Sequence, residues 1–313
     1  MNKLRRCLVG LLLLALLGAA CFASLHAGLF GLSVFVVSPV ALGGIAAWTF
    51  QPDSGAVAAG FGVMAVLVAC GAFLALGQEG LICIAMALPL AAPLGALGGW
   101  IAFRVSRSHR LARGAVMLLL LPPAGLTWDK TAQPPVYELS TSIVIAASPE
   151  QVWKRTIAVS EIPEPGEWFF RAGLAYPKGA RLMGPGVGAT RYCDFSTGSA
   201  VETIDAWDEP RMFRFRVITS PPPMHELSPY GDIQPRHLHG YLVSRAGEFR
   251  MMRLDNRHTM LVGTSWYQHG LWPAQYWRWW SDAIIHRIHL RVMNHIREQA
   301  EADAAAEHHP ADP

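Results

Sequence analysis

Four apolar runs, Leu4–Ser24, Gly28–Phe50, Gly55–Gly77 and Gly80–Phe103, fill the first part of the chain and limit what it can become. Each is about 20 residues long, enough to cross a hydrocarbon core of about 30 Å as a helix. The breaks are short and polar, as at Gln51-Pro52-Asp53-Ser54 and Gln78-Glu79. In lipid, a helix satisfies every backbone polar group internally, so this region reads as a helical bundle. The first run alone would also suit a cleaved signal peptide. Three further runs behind it make it one span of the bundle. Gly95 and Gly99, with Ala91 one turn earlier, give the fourth run a small-residue face against which another helix can pack.

A fifth run, Gly114–Trp128, is shorter and contains Pro122-Pro123, so it is either a short tilted span or an interfacial segment. Basic residues cluster at Lys3, Arg5, Arg6 and again at Arg104, Arg107, Arg110 and Arg113, flanking apolar runs as cytoplasmic ends do. Four spans between the clusters place both on the same side. A crossing fifth run closed by Trp128 puts the remainder of the chain on the far side. The expected location is the bacterial inner membrane, with the C-terminal domain periplasmic. With so few ionisable groups inside the apolar runs, the region reads as an anchor rather than a transport path.

After residue 135 the composition changes: 18 Lys+Arg and 20 Asp+Glu follow, against 8 and 3 before. The overall charge of +3 therefore reflects membrane topology, and no nucleic-acid partner is implied. Four of the five cysteines lie in the apolar half, so no disulfide framework is available. Cys193, in the strand-like run ATRYCDF, reads as a buried structural thiol.

The second half alternates as strands do. Val136–Ile145, Thr190–Phe195, Ala200–Trp207, Met212–Ile218, His237–Val243, Phe249–Leu254 and Thr259–Tyr267 make seven, with a Pro-rich loop at Ser220–Arg236. Ser148-Pro149-Glu150-Gln151 is a helix start, with Ser148 as N-cap and Gln151 placed to close a capping box. A second short helix is expected over Glu167–Ala172. The chain then ends on a long amphipathic helix, in which Trp277, Ile284, Ile285, Ile288, Val292 and Ile296 fall within about 60° of one line. Lacking a helical partner of similar length, that stripe has to lie on the sheet.

The stretch IVIAASPEQVWKRT, then GVGATRYCDF leading into AWDEPRMFRFRV, then SDAIIHRIHLRVMNHI, resembles the START/Bet v1-like (SRPBCC, polyketide cyclase-like) superfamily over roughly residues 136 to 300. The resemblance implies an α+β helix-grip domain, a curved seven-stranded antiparallel sheet around a long C-terminal helix, with an apolar cavity between them. The expected organisation is a transmembrane region of four to five helices (1–128), a linker (129–135), the helix-grip domain (136–300) and a disordered tail (301–313).

Two functions follow: membrane-tethered binding of a hydrophobic small molecule or lipid, and, as the alternative, a cyclase- or dehydratase-type enzyme working in the same cavity. Phe213, Phe215, Ile284 and Ile288 are the expected walls, with Trp266 and Trp280 nearer the mouth and His269 a further ligand-binding candidate. The aromatic corner, Trp266 to Trp280, also suits a membrane-interface edge or plain packing. Asp282, His286, His289 and Met293 share a second helix stripe to which His237, His239 or His269 could add a metal ligand. The arginines on that helix argue against a metal, so neither metal nor cofactor is expected there. Asp282 with His286, or Glu202 with His239, are the acid/base pairs an enzyme would use. The glycines at Gly184, Gly186 and Gly188 lead into a strand, which removes a phosphate-loop reading.

Overall fold

A computed structural model of the chain describes residues 2–106 and 134–308. The fifth apolar run, five of the seven expected linker residues and the last five positions lie outside the described residues. The chain divides into two compact units. One comprises the described part of Met1–Pro134 together with Glu226–His239 and Gly270–Trp277; the other comprises Pro135–His225, Gly240–His269 and the described part of Arg278–Pro313.

The N-terminal unit contains α1 (Lys3–His26), a π-helical turn (Ser33–Val37) running directly into α2 (Ser38–Phe50), α3 (Gly55–Ala75) and α4 (Leu81–Ser106). All four are long and apolar enough to cross a membrane, counting Ser33–Phe50 as one. Asn2 and Ser54 cap α1 and α3 by accepting from the amides of Arg5 and Val57. The helices meet where side chains are absent. A Cβ added at Gly43 of α2 or at Gly62 of α3 would stand 2.0 Å from the carbonyl oxygen of Gly95 in α4. This is the small-residue packing expected of that run.

The C-terminal unit contains β1 (Val136–Ile145), α5 (Pro149–Ile157), α6 (Trp168–Arg171), β2 (Pro177–Met183), β3 (Thr190–Phe195), β4 (Gly198–Asp208), β5 (Met212–Thr219), β6 (Leu242–Arg253) and β7 (Thr259–His269). The strands form one antiparallel sheet in the order β1-β7-β6-β5-β4-β3-β2. Helix α7 (Ala274–His308) closes the chain. This is the helix-grip architecture. Register shifts in β2–β3, β4–β5 and β6–β7 bend the sheet. The capping box opens α5 as the sequence indicates, with Ser148 Oγ accepting from Gln151 N and Gln151 Oε1 accepting from Ser148 N.

The strand count matches the expectation, but the strands differ. Phe249–Leu254 and the end of His237–Val243 merge into the single long β6, while Arg236–Leu238 is a turn of 3-10 helix. The seventh strand is β2, hidden in the sequence by Pro177, Gly179 and two basic residues at the sheet edge.

The expected tail also differs, because α7 continues to His308. Its last turns are held from outside: Asp303 takes a two-pronged bond from Arg155 at 2.6 Å, Glu301 accepts from the Ala146 amide, and Glu307 accepts from Gln151. These polar contacts, together with Ala304 packed against the core, carry the helix past residue 300.

Candidate functional site

The core of the C-terminal unit is built from side chains that alternate inward. Ile145, Val152, Ile204, Phe213, Leu261, Met293 and Ile296 are almost fully buried. Trp153 of α5 meets Trp207 and Phe213 edge-on at 4.9 and 5.6 Å. Toward β2 and β3 the packing opens into a cavity of about 110 Å³. Phe215, Phe249, Gly263, Arg191, Cys193 and Glu202 of the sheet line it, facing Ile288, His289 and Val292 of α7. The Phe215 ring lies across Gly247, its β6 partner in register, where an added Cβ would sit 2.3 Å from the ring. Glycine at 247 thus sets how that wall lies.

The polar end of the cavity is a buried ion pair. Arg191 of β3 and Glu202 of β4 are register partners, 2 % and 5 % exposed, and join through one guanidinium nitrogen at 2.5 Å. The rings of Phe215 and Phe213 lie under the guanidinium at 5.2 and 5.9 Å. Burial raises Glu202 above the usual carboxylate range, with Arg191 opposing the rise. Burial likewise lifts the Cys193 thiol to about 12, so it remains protonated and is not a nucleophile. The Cys193 side chain also interacts with the guanidinium, while the buried Arg191 Nε makes no hydrogen bond of normal geometry among the described residues.

Three α7 histidines are held by hydroxyls. His289 meets Ser265 and Thr141 at 2.7 and 3.1 Å, His286 meets Thr141 at 2.8 Å, and His295 meets Ser160 at 2.9 Å. Burial, then the neighbouring His286, lowers His289 to about 4, so it is neutral in the folded protein. Asp282 accepts from the Tyr267 hydroxyl and from Arg278 rather than pairing with His286.

Of the residues expected from sequence, Phe215 and Ile288 line the cavity. Phe213 lies in the solid core beside them, in ring contact with Phe249. Ile284 and Trp280 are half-buried on α7 and do not line the cavity. Trp266 lies on the outer sheet face, with Arg214 stacked 4.7 Å over its ring and Glu138 accepting from its indole N–H. Strand alternation gives the inner position to Tyr267 instead. His269 is buried at the end of β7, stacked on Tyr137. Glu202 is inside the cavity, but its partner is Arg191, not His239.

Sequence reasoning missed Arg191, and it read His289 as part of a second stripe of α7 rather than as a lining residue of the cavity. A signal for the first existed: in a hairpin turning at Ser196–Ser199, Arg191 with Cys193 and Glu202 with Ala200 and Ile204 put opposite charges on one otherwise apolar face.

A second hollow, about 750 Å³, lies among α1, α2 and α3 and is lined almost wholly by apolar side chains such as Leu14, Phe22, Phe61 and Met64. Its lining side chains offer no polar group for recognition.

No family model matches the chain, and no curated protein matches it. Solved structures do match. Zhui aromatase/cyclase from a Streptomyces species is 16 % identical, with 55 % of this chain and 98 % of that one covered and a TM-score of 0.36. Truncated norcoclaurine synthase from Thalictrum flavum is 10 % identical over 54 % of this chain and 95 % of its own, with a TM-score of 0.35. A Nitrosospira multiformis protein is 14 % identical over 54 % and 99 %, at 0.34. At these scores the fold assignment rests on the chain's own strand order, register and closing helix.

Proposed function

We propose that the C-terminal unit binds a small, largely apolar molecule bearing a hydrogen-bond acceptor, and that the N-terminal helices tether it to a membrane. The supporting observation is the buried Arg191 at the cavity, whose Nε makes no hydrogen bond of normal geometry among the described residues. A buried donor left unpaired costs about 1–3 kcal/mol. A carbonyl or carboxylate oxygen of a ligand would remove that cost, while Phe215, Phe249, Ile288 and Val292 supply apolar contact. A volume of about 110 Å³ favours a single ring or short chain over a whole lipid.

The test is native mass spectrometry of the full chain in detergent, followed by melting with a panel of small aromatic and aliphatic ketones and carboxylic acids. A raised melting temperature for acceptor-bearing members, lost in Ile288→Trp, is expected, since a larger ring there fills the cavity. A chain that carries no molecule and whose melting no panel member shifts would remove the proposal. Glu202 and His289, both lining the cavity, give the cyclase or dehydratase alternative its acid/base candidates. A bound compound that is chemically altered on incubation would favour it.

A further inference from the structure

A second cluster of reactive side chains lies within the N-terminal unit, where α4 begins. The Leu81 amide donates to the Leu227 carbonyl at 2.9 Å, tying the Glu226–His239 segment to this turn. The Glu226 carboxylate accepts from the amides of Ile82 and Cys83, both at 3.2 Å. These are first-turn amides with no partner inside the helix, so Glu226 caps α4 from a distant part of the chain and meets the positive end of its dipole. A glycine is needed at the junction, since a Cβ at Gly80 would stand 2.0 Å from Glu226 Oε2.

Against this frame stand a carboxylate, a thiol and an imidazole. One ligand-type atom each from Glu79, Cys83 and His237 lies within 4.8 Å of the other two. His237 is 9 % exposed, and its Nε2 is 2.7 Å from Cys83 Sγ. Its buried Nδ1 makes no hydrogen bond among the described residues, yet faces Glu79 Oε2 at 3.4 Å. An N–H···O bond would be shorter, at about 2.7–3.2 Å. Two ligands of one tetrahedral zinc, each bonded at about 2.0–2.1 Å, stand about 3.3–3.4 Å apart. The Nδ1–Oε2 separation is of that size, so Nδ1 is the ligating nitrogen, and Cys83 Sγ, which lies 2.7 Å from Nε2, would turn toward Nδ1 on binding.

We propose that Glu79, Cys83 and His237 hold a divalent transition metal of the zinc class, with a fourth position left for water or a small ligand. Thiolate and imidazole suit zinc and disfavour calcium or magnesium. The thiol releases its proton to solvent on binding, so the Cys83 thiolate and the Glu79 carboxylate balance the dication, with the Glu226 carboxylate beside them held by the first amides of α4. The same three residues could also be read as a Cys-His-Glu nucleophilic triad. That requires a close Nδ1–carboxylate bond and free donors for an oxyanion beside the thiol. Here the first is stretched, and the amides beside Cys83 are taken by Glu226.

The experiment uses the full chain in detergent, stripped with a chelator and titrated with cobalt(II). Stoichiometric uptake with a thiolate-to-cobalt charge-transfer band is expected, together with protection of Cys83 from alkylation. The band should vanish in Cys83→Ser and persist in Cys70→Ser, a thiol of α3 outside the cluster, while His237→Ala should weaken cobalt by more than about tenfold. No band in the wild-type chain, a band that survives Cys83→Ser, or equal alkylation with and without cobalt would overturn the proposal. Rapid acylation of Cys83 by an activated ester in a chain that takes up no metal would overturn it in favour of the triad. The alkylation comparison needs no variant, so a misfolded substitution does not shelter the idea.

Discussion

Removing Arg191 alone should unfold far more than it disconnects. With the guanidinium gone, Glu202 is left 5 % exposed among Phe213, Phe215 and Ile204 without its cation. Breaking one side of a buried ion pair costs about 3–5 kcal/mol, because the surviving charge stays desolvated. For a unit of this size that is a melting-temperature loss of roughly 6–20 °C. Glu202→Gln, which strands the guanidinium, should fall in the same range. The double change Arg191→Met with Glu202→Leu removes both charges while keeping volume, and should recover most of the loss, since apolar replacement of a buried pair is often neutral. It should nonetheless abolish ligand-dependent stabilisation, because the donor is gone. Tryptophan-fluorescence melting of the full chain in detergent reads all four proteins on one scale. If either single variant melts within about 2 °C of the wild type, the pair is not desolvated as described. If the double variant is as unstable as the singles, the attraction itself, not the stranded charge, holds the hairpin.

His289 makes a prediction about pH. Its folded value is lowered to about 4, so the folded protein stays neutral at that site while an unfolded chain takes up a proton below about 6.5. Its contribution is therefore full above about pH 6.5 and lost as pH falls toward 4, by at most about 3 kcal/mol. His237 is lowered in the same direction, so the readout is the difference between wild type and His289→Gln melted at about pH 7 and about pH 5. An identical pH dependence in the two would rule out His289 as a source. For topology, alkaline phosphatase joined after Glu298 should be active in cells, and a fluorescent-protein fusion at the same point dark, if the C-terminal unit is periplasmic; the reverse pattern would place it in the cytoplasm.

What was legible in the sequence follows from which forces are local. Strands β1 and β3 have the bounds their alternation gives, and the cap of α5 is a contact between residues three apart. Gly95 was legible because close helix approach needs a missing side chain wherever it occurs. Trp266 was misplaced by one step of a period-two pattern, since Trp266 and Tyr267 are both aromatic and either could face inward. Arg191 and Glu202 escaped because a charge on an apolar face is legible only once the hairpin's register is fixed.

The aromatic corner and the Pro-rich loop show the remaining limit. Read by linear order, Glu226–His239 and Gly270–Trp277 fall inside the helix-grip domain; by contact they belong to the N-terminal unit. Trp277 packs its ring edge-on against Phe35 at 4.8 Å, and the Trp272 amide donates to the Phe30 carbonyl. Tyr276 and Tyr230 donate their hydroxyls to carbonyls of Met86 and Ala75. Three of the seven aromatics that suggested the mouth of a cavity, Trp272, Tyr276 and Trp277, therefore belong with the apolar helices. The same reassignment is what brings His237 to Glu79 and Cys83, residues more than 150 positions away in sequence. No local pattern announces such a meeting. Each of the three has an ordinary reading where it stands: a polar break between spans, a thiol in an apolar run, a histidine in a loop. Their chemistry exists only because an insertion in one fold completes a turn of another, and substitutions in Glu226–His239 should therefore be felt first in the N-terminal unit.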